Sequence, residues 1–126
     1  MKINGHSHLL PYPEQIPKFM KDKEIFWIDS DRKFMRQKNW SRPITADSFF
    51  LNEKLEWMDE NQIDHAVVLN LSQLYGNGLT QSDMKQALRF QNDFNAEVQA
   101  DNNGKFTTGF VVHAGFVESA LWEIER

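Results

Sequence analysis

The chain has 126 residues, 40% hydrophobic, 25% charged and 13% aromatic, a balance that supports a buried core and excludes wholesale disorder. A formal net charge of -4 leaves no basic footprint, which argues against nucleic acid as a partner. The absence of cysteine excludes disulfides and thiolate ligands, so any metal must be held by His, Asp or Glu.

The first predicted element is a strand from about Lys2 to His6, leading into His6-Ser7-His8. Side chains at i and i+2 of a strand share a face, so His6 and His8 are expected to present two imidazoles side by side. Neutral imidazole is the commonest protein metal ligand, and a catalytic zinc usually takes three protein ligands with one open position. The pair therefore supplies part of such a site, while a plain pair of strand-end histidines is the structural alternative. Asn4, His6 and His8 also interrupt any apolar leader, and no run has the length to span a bilayer. The expected setting is cytoplasmic, with no membrane partner.

The segment from Leu9 to Ala46 carries all four prolines, Pro11, Pro13, Pro17 and Pro43, and proline blocks helix and central strand alike. Within it, Glu24–Ile28 and Lys33–Gln37 are strand-like runs around Asp29-Ser30-Asp31-Arg32, a turn sequence. An insertion over about residues 9–46 containing a β-hairpin is predicted.

A helix follows from about Ser48 to Asn61, with Leu51, Leu55 and Met58 on one face and Asp47 or Ser48 as its cap. His65–Leu71 is a near-continuous apolar run, as in a strand buried on both faces of a parallel sheet. After Tyr75-Gly76-Asn77-Gly78, Thr80 and Asp83 resemble a capping box opening a helix whose inner face is Ala87, Phe90, Phe94 and Val98. Asn103-Gly104 ends it. A third strand is predicted over Phe106–Val112, leading to His113, and a third helix from about Val117 to Arg126. Strand and helix in alternation predict an α/β domain with a parallel sheet and right-handed crossovers. The last helix has no cap, glycine or polar tail.

Met1-Lys2-Ile3-Asn4-Gly5-His6-Ser7-His8-Leu9-Leu10-Pro11 resembles the first barrel strand and His-x-His of the amidohydrolase superfamily, in its branch containing aminocarboxymuconate semialdehyde decarboxylase. Also similar to that branch are the hairpin insertion with Trp40 just beyond it, the helix ending Met58-Asp59-Glu60-Asn61-Gln62-Ile63-Asp64, and Asn92 to Phe94 in the second helix. Gly104-Lys105-Phe106-Thr107-Thr108-Gly109-Phe110 resembles its third strand. The likeness runs along essentially the whole chain, although His-x-His is its one chemically specific motif. Members of that branch commonly carry Asp two residues before the first histidine, where this chain has Asn4, an amide in place of a carboxylate that would orient a ligand imidazole.

What the resemblance implies is the N-terminal part, about three β/α units, of a (β/α)8 TIM barrel with a divalent metal, most often zinc, at the C-terminal ends of its strands. That is the face on which such barrels place their sites. His6 and His8 would be the first two ligands, and the remaining ligand, the catalytic histidine and a metal-binding aspartate come from strands five, six and eight. A whole barrel needs about 250 residues, so residues 1–126 are read as an incomplete portion with no catalytic residue of its own, inactive alone. The implied activity is that of a hydrolase or non-oxidative decarboxylase acting on a small carboxylate-bearing metabolite through a metal-activated water.

In the decarboxylase an arginine of the insertion contacts the substrate carboxylate. Arg36 is the nearest candidate here, with Arg32 and Lys33 as alternatives. Trp40 is either a packing residue or a substrate contact. Asn70 and Ser72 close the second strand and His113 the third, on the substrate face, and for His113 a hydrogen-bonded structural role is the alternative. His65 opens the second strand on the opposite face and is assigned no chemistry; Tyr75 with Gly76 and Gly78 forms either a loop over the site or a plain turn. Two other functions fit the same residues: another His-x-His barrel such as a phosphoesterase, and a non-catalytic assembly module. An open three-stranded parallel sheet exposes edges and apolar faces, so a homo-oligomer is expected.

Overall fold

In a computed structural model, which describes residues 1–46 and 48–126, the chain is a mixed α/β structure with one parallel and one antiparallel sheet. The elements are β1 (Ile3–Leu9), α1 (Lys18–Asp22), β2 (Trp27–Ile28), β3 (Phe34–Gln37), β4 (Trp40–Pro43) and β5 (Ser48–Phe49). They continue with α2 (Leu51–Glu60), β6 (His65–Val68), α3 (Gln81–Asp101), β7 (Phe106–Thr108) and α4 (Val117–Glu125). Short 3-10 turns occupy Pro13–Gln15 and Ser72–Leu74.

The parallel sheet has the order β5-β1-β6-β7. β1 is central and runs through both histidines rather than stopping at His6. Its register against β6 slips by one residue, Asn4 opposite Ala66 but Ser7 opposite Val68, so Gly5 and His6 form a bulge. Met58, Ile63, Ala66, Val68, Val98 and Phe106 pack α2 and α3 onto this sheet, with Leu9 at the end of β1.

The insertion has its own core. Leu10, Met20, Phe26, Ile28, Met35 and Phe50 are buried together and reach Ala87 on α3. The expected hairpin is present as β2 and β3, with Trp27 opposite Arg36, but a third strand joins it: β4 pairs antiparallel with β3, Trp40 opposite Gln37. Proline hid this strand from the sequence, yet Pro43 is the last residue of an edge strand, where its missing N–H costs no ladder bond.

Three boundaries also differ from the sequence expectation for identifiable reasons. Ser48 and Phe49 are not helical, because the end of β1 offers them a ladder, His8 opposite Ser48 and Leu9 opposite Phe49. Phe50 then stands at the helix N-cap without a side-chain cap bond, so Ser48 is not the cap; Asp47, the other candidate, lies outside the described residues. β6 stops at Val68, with Leu69 N–H still donating to the Ser7 carbonyl at 2.9 Å. β7 stops at Thr108 because amides of α3 replace the ladder. Asn95 Nδ2 donates to the Gly109 carbonyl at 2.9 Å, and Asn92 both donates to the Val111 carbonyl at 2.9 Å and accepts from its N–H at 2.8 Å.

Thr80 caps α3, its Oγ accepting from Asp83 N–H at 3.2 Å. The Asp83 carboxylate does not close a capping box; it takes the Lys23 ammonium instead. Gly76 at φ +79° packs so closely on α3 that a Cβ there would lie 2.6 Å from Met84 Cγ. Among the described residues, no helix is long and apolar enough to cross a membrane.

Candidate functional site

β1 brings His6 and His8 together. Their rings meet edge to face, centroids 5.1 Å apart and planes at 88°, and their Nε2 atoms are 3.4 Å apart. Two nitrogens each about 2.0–2.1 Å from a tetrahedral zinc are separated by about 3.3–3.4 Å, so the spacing is that of a tetrahedral edge. His8 Nδ1 lies 2.8 Å from the Leu69 carbonyl. A carbonyl only accepts, so this nitrogen carries the proton and Nε2 presents its lone pair, the arrangement found behind metal-bound histidines. The residues therefore fit a divalent metal. Asn4 uses its Oδ1 to accept from the His6 backbone N–H at 3.3 Å, so it steadies the bulge. Among the described residues no third His, Asp or Glu joins the pair in a metal-holding group.

Beside the imidazoles opens a cleft of about 470 Å³ that follows the free edge of β1, with Arg42, Ser48, Phe49, Lys54 and Trp57 on its walls. Lys54 is 2% exposed, donates to Ser7 Oγ at 2.6 Å and holds its ammonium over the Phe49 and Trp57 rings, 4.2 and 5.1 Å from their centroids. Arg42 reaches the cleft from β4. Sequence reasoning missed both cations. Arg42 is hidden because the expected hairpin ends at Gln37; alternation along Trp40-Ser41-Arg42-Pro43 is the signal that could have found it. Lys54 is hidden because a lysine on an amphipathic helix reads as solvent-facing.

The other sequence candidates stand elsewhere. Arg36 grips Asp29, its Nε 2.8 Å from each carboxylate oxygen and Nη2 2.7 Å from Oδ2. That hydrogen bond holds the Asp29 pKa below the ordinary carboxylate value and raises that of Arg36. Arg32 lies over the Tyr12 ring at 4.6 Å and 3.7 Å from Glu53, and Lys33 is exposed. Trp40 packs, partly buried, against the core of the insertion.

Asn70 is held in an amide network, accepting from Asn95 Nδ2 at 3.0 Å and donating to Gln91 Oε1 at 3.3 Å. Ser72 bonds Gln73, 3.4 Å away, and Tyr75 OH contacts the Asn70 carbonyl at 3.5 Å. His113 accepts from Gly115 N–H at 3.1 Å and lines a small pocket between α3 and α4 that shares no residue with the imidazole cleft. His65 ties β6 to β7 through the Gly104 carbonyl at 2.6 Å and Thr107 Oγ1 at 2.9 Å.

Fold and site thus define an α/β protein with a parallel sheet whose central strand carries a paired-imidazole cleft flanked by two cations. No protein-family model matches the chain, and no curated protein matches it.

Proposed function

We propose that the chain forms the first part of a metal-dependent barrel enzyme of the amidohydrolase type, acting as a hydrolase or non-oxidative decarboxylase on a small carboxylate-bearing substrate. The observation that carries this reading is the His6–His8 pair, with Nε2 atoms 3.4 Å apart and the His8 proton fixed on the far nitrogen by Leu69. In this reading both Nε2 atoms hold a divalent metal, zinc above all. Such an ion supplies Lewis acidity and brings the pKa of a bound water to near neutrality.

The chain's own groups then bind and orient. Arg42, which makes no ion pair among the described residues, offers a planar fork matched to a substrate carboxylate. The buried Lys54 lies on the same wall, and Phe49 and Trp57 give the cleft an apolar side. The third ligand and the proton-transferring groups are assigned to later strands of a longer barrel, consistent with the free edge of β1 beyond its two-residue pairing with β5.

The test is turnover by the zinc-loaded, full-length product of the gene with small aromatic and olefinic carboxylates, scored as carbon dioxide release or hydrolysis. His6→Ala and His8→Ala are expected to lose metal and turnover together. Undiminished activity in either variant would overturn the assignment.

A further inference from the structure

The two imidazoles are carried where the β1 ladder is interrupted. Between Asn4 and Ser7 the strand has one residue more than β6, so backbone pairing alone does not fix the segment holding His6. Ser7, the residue between the histidines, is 4% exposed, and its hydroxyl accepts the Lys54 Nζ at 2.6 Å.

Lys54 is itself an unusual core residue. It shares the buried face of α2 with the apolar Met58. Its ammonium lies over the Phe49 and Trp57 rings and donates to the hydroxyl beside the bulge.

We infer that Lys54 is a positioning residue for the imidazole pair: through Ser7 Oγ it pins the bulged β1 backbone so that His6 and His8 face each other at metal-bridging distance. The inference deepens the proposed function and rests on it for its purpose. The geometry it explains is set by protein groups, since the His8–Leu69 bond and the Nε2 spacing both follow from the course of β1.

The experiment compares wild type, Lys54→Met and Ser7→Ala in the full chain by long-range ¹H–¹⁵N NMR of the imidazole nitrogens without metal, then by zinc titration. In wild type His8 is expected as the Nδ1–H tautomer. In Lys54→Met its two nitrogens are expected to shift toward averaged values while those of His65 stay in place, and zinc affinity is expected to fall about 10- to 100-fold, the range for groups that orient ligands. Wild-type His6 and His8 nitrogen shifts in Lys54→Met would overturn the inference. Should that variant fail to fold, Ser7→Ala carries the same comparison: averaged His8 nitrogens support the role of Lys54, and wild-type shifts overturn it. Absence of zinc binding by wild type would refute the metal reading, whereas the tautomer comparison would still decide the role of Lys54.

Discussion

His6 and His8 approach Nε2 to Nε2 at 3.4 Å while His8 Nδ1–H is committed to the Leu69 carbonyl at 2.8 Å. The two contacts together leave the shared edge of the rings as a place for a cation. A ligand that binds only the folded state stabilises it by mass action, about 2.7 kcal/mol at one hundred times its dissociation constant. Zinc is therefore expected to raise the melting temperature of the wild-type chain and to leave that of His6→Ala/His8→Ala unchanged. Calorimetric melts at increasing zinc check this, and an equal response of both proteins would count against the pair.

His65 gives the contrasting case. Its Nδ1–H donates to the Gly104 carbonyl and its Nε2 accepts from Thr107, stitching β6 to β7. His65→Ala is expected to cost about 1 kcal/mol in denaturant unfolding, with the zinc response intact. Loss of that response would assign His65 to the metal instead.

Arg36 and Arg42 lie on neighbouring strands and are expected to respond in opposite ways. Arg36 is bound to Asp29, so Arg36→Met should lower stability and leave ligand affinity alone. Arg42 lines the cleft, so Arg42→Met should leave the melt unchanged and weaken binding of benzoate to the zinc-loaded protein by about 10- to 100-fold, the scale of a charge-assisted hydrogen bond. Melting curves and calorimetric titration of both variants separate the two roles.

Among the described residues, three carboxylates have folded pKa values below their ordinary ones. Asp29 is lowered mainly by its hydrogen bond from Arg36, and Asp83 by that from Lys23. For Glu123 burial works the other way but is outweighed by hydrogen bonds from Arg126 and Asn92. A depressed carboxylate binds its proton less readily folded than unfolded, so its contribution is complete above the ordinary range near about pH 4 and is lost as pH falls through the folded value. Stability is thus expected to be flat in these groups above about pH 5 and to drop below about pH 4. Asp29→Asn should shrink that acid limb in melts taken across pH; an unchanged limb would remove Asp29 from it.

On α4 no residue is buried. Val117, Leu121 and Ile124 are 63%, 54% and 56% exposed, and Phe110 beyond β7 is 62% exposed. Apolar surface of this kind drives association, so the 126-residue chain is expected to self-associate in sizing experiments. Leu121→Glu/Ile124→Glu is expected to shift it toward monomer. A wild-type chain that is monodisperse and monomeric would contradict this.

Periodicity disclosed the elements whose partners lie in a regular layer. The alternation and apolar run of β1 and β6, the Thr80 cap of α3 and the stop at Asn103-Gly104 were all legible, because each is set by local chemistry. What stayed hidden depends on distant chain. Ser48 and Phe49 are strand because β1 ends beside them, and β4 exists because β3 presents an edge for it. In the site, the i, i+2 spacing of His-x-His put both imidazoles on one strand, which is the part legible in the sequence. Arg42 and Lys54 reach the same cleft only through the tertiary packing of β4 and α2, which no spacing along the chain encodes.

The central claim is that His6 and His8 hold a divalent metal, and zinc binding to the chain measured by equilibrium dialysis tests it most directly. One zinc per chain is expected for wild type, His65→Ala and His113→Ala, and strongly weakened binding for His6→Ala and His8→Ala. Retention of zinc by both of those variants, or no zinc bound by wild type, would contradict it.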